Sequence, residues 1–479
     1  MPGKRIIVAF ALTACVALAI ASVLYFRSLP RRPRLDDPHA RPLVQTDQEQ
    51  STTDSSLVLE NARDQPPWGR FRGPNGTGIS EDSGIPLNWD DHTNLQWKAP
   101  LPGYGASSPV LTKDFVFVTC YSGYGTGRTD SGSPQDLTRH VVCVARSSGD
   151  ILWTRDYPNA QREDPYQGMG LPEHGYATNT ATTDGQTLFA FLGKSGVVAL
   201  NLDGEQLWQA SVGTSSGNRG WGSAASLMLY DDLLIVNAAE ESHSIVALEK
   251  STGREVWKSE ASTLELSYGT PAIVRVDEQR EDLVLAVPGE VWGMNPRTGR
   301  LVWFVQSSLT DNLSPSVIVD GNTVYAFGGY RSSGSLAIKV GGTGNVTDSA
   351  ILWTSRNSSY VATPVLVDRS LYWIDDRGMY YCANADTGEL IHRARTPGIS
   401  GGQHPVYASP IAVNGKILAQ TRASGMMVLE ASDKLSILSH NTFAADSSNF
   451  NATPAADAGQ LFLRSDQYLY CISKLASNE

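Results

Sequence analysis

Two stretches of this 479-residue chain decide its fold: ALEKSTGREVW over residues 247–257 and GMNPRTGRLVW over residues 293–303. Each is a strand-like run, a Thr-Gly turn and a second run that ends in Trp. The same pattern recurs as SSGDILW (Trp153), LDGEQLW (Trp208) and DSAILW (Trp353), and TNLQWKAP puts Trp97 in the same role. DTGELIH and SDKLSIL are degenerate copies, with Ile391 and Leu435 read at the Trp position. After each copy a loop leads to a Ser/Thr-Pro strand start at Pro109, Pro271, Pro315, Pro364, Pro410 and Pro454; Thr180 and Leu227 stand there in the two copies without proline. These starts lie 44–49 residues apart after a first gap of 71. A period near 45 residues, made of short strands and turns, predicts an all-β, eight-bladed β-propeller with four antiparallel strands per blade. The last copy runs out before its Trp-bearing strand, whereas Trp97 precedes the first blade. The strand around Trp97 is therefore expected to complete the last blade and close the ring, which leaves no free sheet edge at the seam. The tryptophans are expected to be structural, each packed over a turn.

Composition is that of a globular protein, 41% hydrophobic and 18% charged, with 44 glycines and 11 tryptophans. A net charge of −11 without a basic block argues against nucleic acid as a partner. The chain divides into 1–27, an N-terminal transmembrane anchor or signal segment; 28–65, a polar linker expected to be disordered; 66–94, a lead-in; and 95–479, the propeller. Residues 6–26 carry no charge and are long enough to cross a bilayer as a helix. The reading is an uncleaved anchor: inner membrane, single pass, with the propeller in the periplasm. A cleaved signal peptide is the alternative. Leu12 to Cys15 is similar to a lipoprotein cleavage box but has few apolar residues before it. Arg27, Arg31, Arg32 and Arg34 after the span oppose the expected orientation under the positive-inside rule.

Aligning the third strand of each blade places Cys143, Ala199, Ala247, Gly293, Ala337, Cys382, Val428 and Cys471 in one slot. That slot wants a small apolar group, so these cysteines are expected in the core rather than on a metal. Cys120 and Cys143 fall on neighbouring strands, which leaves a disulfide between them open. The loops leading into the innermost strands should ring one mouth of the central channel. They carry Tyr104, Tyr176, Trp221, Tyr268, Tyr360, Tyr407 and Phe450, with Glu173, His174, Arg219 and His404 as polar companions. Aromatics with a few charges suit a carbohydrate, a peptide or a flat cofactor; packing that plugs the channel is the other reading. Insertions at 121–140 and 155–176 add a surface for a partner. The stretch WGRFRGPNGTGIS, residues 68–80, lacks the Lys-Ser/Thr of a phosphate-binding loop. It reads as a lead-in clasped beside the seam, from which Arg70 or Arg72 is within reach of the channel mouth.

The Thr-Gly-x-x-x-Trp repeats resemble the tryptophan-docking repeats of the pyrroloquinoline-quinone (PQQ) propeller superfamily. With the FRGPNGTG lead-in and NRGWGSAAS (218–226), the chain is more closely similar to the bacterial PQQ-like, BamB-like proteins. The resemblance covers about residues 68–472. It implies a binding or scaffolding module for envelope proteins, monomeric, presenting loops or a strand edge to a partner, with no cofactor. For the enzymes of the superfamily it implies PQQ and a calcium ion, with a carboxylate base, acting on alcohols or sugars. This sequence has no Cys-Cys pair of the kind that covers the cofactor in the alcohol dehydrogenases, and no carboxylate-plus-amide set maps onto their metal ligands. A dehydrogenase and a glycan-binding module remain the alternatives.

Overall fold

Eight sheets of four antiparallel strands form the ring in a computed structural model that describes Arg32 and residues 68–475, apart from 127–130, 169, 331, 400, 401 and 403. In blade 3, for example, the strands run from the axis outward as Met228–Tyr230, Leu233–Ala238, Ser244–Glu249 and Glu255–Glu260. Blade 8 takes three strands from residues 455–473 and its outermost from Leu95–Pro100, with Trp97 opposite Cys471. The ring closes as the repeat predicted.

One register rule explains the tryptophans. In every blade the third and fourth strands slip by one residue, a β-bulge, and the residue after the bulge lies opposite the small slot residue: Trp153 on Cys143, Trp208 on Ala199, Trp257 on Ala247, Trp353 on Ala337. The bulged residue itself turns outward, which accounts for the exposed Leu152, Leu207, Val256 and Leu352. By this rule the degenerate positions are His392 and Ser439. The assignments to Ile391 and Leu435 are corrected: Ile391 is the bulged residue of its blade, and Leu435 precedes its strand Ile437–Asn441.

Each ring then docks on the turn of the following blade. The Trp97 indole N–H donates to the Arg146 carbonyl at 3.0 Å, Trp153 to Leu202 at 2.9 Å, Trp208 to Lys250 at 2.8 Å, Trp257 to Pro296 at 3.0 Å and Trp353 to Ala385 at 2.8 Å. The turn glycine lies flat beneath the indole: a Cβ at Gly253 would meet the Trp208 ring at 2.5 Å. Trp303 departs from the pattern. Blade 5 replaces its turn with a longer segment whose residues Gly344–Asn345 pair in parallel with Trp303 and Phe304. Trp303 is fully buried in its own blade, donates to the Asp282 carboxylate at 2.6 Å and occupies the space over Gly293, where no Cβ fits.

The core is distributed. Apolar clusters lie between successive blades: 1 and 2, 2 and 3, and so on round the ring, with the largest spanning blades 7, 8 and 1. Burial between blades, at about 25 cal/mol per Å² of apolar surface, holds the ring and leaves the axis free. Cys143, Cys382 and Cys471 sit in these layers, and Cys120 is a buried free thiol. Cys120 faces His140, three residues along from Cys143, which excludes the disulfide left open by the sequence.

The inner-membrane, single-pass placement expected from residues 6–26 is corrected. No helix among the described residues is long and apolar enough to cross a membrane. Their backbone is spent on short strands and four-residue helical turns, and the 6–26 stretch lies outside the described residues. The 28–65 linker lies outside them too, except Arg32, whose guanidinium pairs with Glu290 and stacks 3.8 Å over Phe304 of blade 4.

A candidate binding cavity at the channel mouth

A ring of hydroxyls lines the axis at the start of the innermost strands. The backbone N–H of Ser108 donates to Thr180 Oγ1, Thr180 N–H to Ser226 Oγ, Ser226 to Thr270, Thr270 to Ser316, Ser316 to Thr363, Thr363 to Ser409 and Ser409 to Thr453, all at 2.9–3.1 Å. The Ser/Thr of each strand start is thus a blade-to-blade connector. In blade 5 it is Ser316, after the proline. Beyond this girdle the lead-in crosses the channel. The Trp68 carbonyl accepts from Leu111 N–H of blade 1, and the Gly69 carbonyl from Thr183 N–H of blade 2. Arg72, fully buried, donates to the carbonyls of Gly76, Thr77, Thr363, Pro364 and Pro410 at 2.9–3.2 Å, reaching blades 6 and 7. Burial pulls its pKa down to about 9, so it stays protonated at neutral pH. Ile79–Ser80 then pair in parallel with Ala412–Val413. The stretch expected beside the seam is a strap across the far end of the channel, so neither Arg70 nor Arg72 is at the mouth; Phe71 of the strap lines the cavity.

Above the girdle lies a cavity of about 930 Å³. Of the residues singled out from sequence, Glu173, His174, Trp221, Tyr268, Tyr360, His404 and Tyr407 line it. Arg219 stands behind that wall, paired with Asp311, with its guanidinium 4.8 Å over the Trp221 ring. Tyr104 and Tyr176 lie in an adjoining tyrosine cluster with Tyr121, Tyr124 and Tyr166. Tyr176 meets Tyr121 edge-on at 5.5 Å and donates to the Asp164 carbonyl at 2.7 Å, bracing the 155–176 insertion that carries Glu173 and His174. Phe450 packs on Phe443 and Tyr470 in the blade 7–8 core.

The cavity aromatics form a connected surface. Trp221 stacks on Tyr268 at 6.1 Å; opposite, Tyr330, Tyr360, His404 and Tyr407 follow one another at 5.7–6.5 Å between ring centres. Arg422 stacks 4.7 Å over Tyr407 and pairs with Glu173 at 2.6 Å. The His404 imidazole meets Asp376 at 2.9 Å. Asp375 accepts from Tyr381 Oη at 3.1 Å and from the N–H groups of Arg377 and Met379. Burial pushes His174 down to about 4, so it is neutral at pH 7 and contacts Thr178 Oγ1 at 2.7 Å. Below the wall, burial raises Glu240 to about 7 and Glu241 to about 8, and each has one buried oxygen with no hydrogen-bond partner.

The sequence reading missed Asn312, Tyr330, Arg356, Asp375, Asp376, Arg377, Arg393 and Arg422. Most sit in loops between the second and third strands of blades 5–7. In an antiparallel four-stranded blade those loops lie at the same end as the loops into the innermost strand, and that topological count was the available signal. A bound calcium and quinone would need oxygen ligands free to converge. The three lining carboxylates are engaged by Arg422, His404 and Tyr381, and no group of three or more His, Cys, Asp or Glu able to hold a metal occurs among the described residues. The residues present do not fit that metal site. The arrangement offers flat apolar faces, amide and hydroxyl groups, and fixed cations.

The family model described as outer membrane protein assembly factor BamB matches residues 137–394. None of the curated proteins matches the chain. Among solved structures, BamB from Moraxella catarrhalis aligns with a TM-score of 0.54 at 14% identity, covering 79% of this chain and 99% of that one. A europium-containing methanol dehydrogenase aligns at 0.57 and 10% identity, covering 88% and 100%. The computationally designed Ika8 protein aligns at 0.52 and 12% identity, covering 78% and 98%. At these identities the likeness is one of fold.

Proposed function

Because the chain belongs to the family of the outer membrane protein assembly factor BamB, we propose that it is a non-catalytic binding or scaffolding module in protein assembly, which takes a segment of a protein partner into the cavity mouth. What carries over from the family is the assembly role, one protein surface offered to another. The observation that favours it is the state of the cavity's carboxylates: Glu173 is held by Arg422, Asp376 by His404 and Asp375 by Tyr381, rather than left to converge on a substrate. The aromatic faces around them suit side chains and peptide planes.

A photo-cross-linking residue placed at Tyr330, which is 56% exposed at the mouth, should capture one discrete protein in cells. The same residue at Leu207, on the outer rim, should not. In parallel, the purified protein is incubated with PQQ and calcium and assayed for dye reduction with alcohols and sugars. Turnover there, or equal cross-linking from both positions, overturns the proposal.

A further inference from the structure

The cations around the mouth divide into two sets. Arg219 pairs with Asp311, Arg422 with Glu173, Lys194 with Asp164 and Arg139 with Glu163. Arg356, Arg377 and Arg393 line the same cavity, from blades 5 and 6, and have no ion-pair partner among the described residues. They are exposed in a chain whose net charge is −11, and with Arg422 they outnumber the carboxylates Glu173, Asp375 and Asp376 of the same lining, so the cavity is locally positive. One of them is mounted rigidly. Trp373 and Tyr381 stack face to face at 4.7 Å and 2°, and Arg393 lies 5.2 Å over the Tyr381 ring, a three-residue ladder across blade 6. A guanidinium held over an aromatic face keeps N–H groups free for a carboxylate, which it can bind through two parallel hydrogen bonds.

A second, independent observation concerns Asn312, which lines the cavity and is 1% exposed. Neither its amide oxygen nor its amide nitrogen has a hydrogen-bond partner. The Tyr360 phenol stands beside it without a bond of normal geometry. A buried polar group left without a partner is destabilising, and a ligand that supplies one relieves that cost. A carboxamide presents one acceptor and one donor side by side, the complement of the N–H and C=O of a peptide backbone.

Resting on the binding-module reading, we infer that this wall receives an acidic peptide segment of the partner, with its carboxylates on Arg356, Arg377 and Arg393 and its main chain on the Asn312 amide. The arginines read charge and the amide reads the peptide bond, which separates such a segment from a small polyanion.

The test is fluorescence anisotropy of the full-length protein with labelled hexaglutamate, hexaglutamine and hexalysine peptides. Hexaglutamate should bind saturably, at least 10-fold more tightly than hexaglutamine, and weaken as salt screens the pairs. The double variant Arg377→Glu/Arg393→Glu should lose at least 10-fold for hexaglutamate and gain hexalysine binding. Both positions are exposed, and an unchanged melting temperature checks the fold. Asn312→Ala should weaken hexaglutamate severalfold. Citrate at equal carboxylate concentration should compete poorly. Equal binding of hexaglutamate and hexaglutamine, indifference to the arginine reversals, or full displacement by citrate would overturn the inference. A partner cross-linked from Tyr330 in a protein that ignores hexaglutamate sinks the acidic peptide alone; no partner from Tyr330 sinks the binding-module reading itself.

Discussion

Glycine and tryptophan form a single unit in this ring. Gly253 has φ +72° and lies under the Trp208 indole, whereas Gly289 has φ +85° with nothing within 4 Å of a built Cβ. Alanine at either position takes on the left-handed strain, about 1 kcal/mol. Only Gly253→Ala also lifts a docked ring, so its total loss should reach about 2–4 kcal/mol. Urea unfolding of the two variants measures the difference, and equal midpoints would refute the docking account. Arg72→Met keeps the volume but strips the donors from five carbonyls gathered from the strap and blades 6 and 7. It should cost about 3 kcal/mol or more in the same assay. The recurrence of turn glycines and tryptophans could be read directly from the repeat, but which glycine lies under which ring could not, since Trp208 rests on Gly253 of the following blade rather than on Gly204 of its own turn. The role of Arg72 could not, because its partners lie about 290 residues away or more in blades 6 and 7.

At the level of elements, the helical turn Ala239–Ser242 puts Glu240 and Glu241 in the interior near the mouth loops. With native pKa values raised to about 7 and 8, both hold protons that the unfolded chain has already released. Stability from these groups is therefore full below the ordinary carboxylate range and is lost as pH climbs to about 8. His174, pulled down to about 4, works in the opposite sense between about 4 and 6.5 and drops out above that. The protein should thus lose on the order of 2 kcal/mol between pH 6.5 and 8, and Glu241→Gln should flatten most of that slope in denaturation at several pH values. An unchanged slope would mean that the carboxyl is ionised in the fold. Blade 4 shows where element-level reading fails. Its Trp fits the repeat perfectly, yet the replaced turn in blade 5 denies it a docking site, and Trp303 turns onto Asp282. No local property of LVW announces that; the cause is in the next blade. The arginine wall was hidden for a related reason, since Arg356 comes from the loop between blades 5 and 6, Arg377 from a hairpin loop and Arg393 from the outermost strand of blade 6, and only the folded blade brings them together.

For the molecule as a whole, repetition made the architecture legible: eight copies, one missing strand at the end and one spare at the beginning. The seam runs inside blade 8, where Leu95–Pro100 pairs with Tyr468–Ser473 without a covalent link nearby. Trp97 touches Phe462 on the far side of that seam at 5.9 Å and docks on blade 1. Trp353 docks identically between blades that the chain already joins. Each change to Ala removes a ring worth about 3–5 kcal/mol, but Trp97→Ala should lower the melting temperature further and free the C-terminal strand to protease first. Equal melting temperatures would place the weak point of the ring elsewhere. The strap completes the design at the opposite end from the mouth. Blades 2 and 6 stand across the ring from each other, and residues 69–72 tie them together over the axis. The channel is therefore a cul-de-sac with a single door. A chain end or a hairpin tip can be parked in it, but no polymer can be threaded through, and whatever enters must back out before the next guest is admitted.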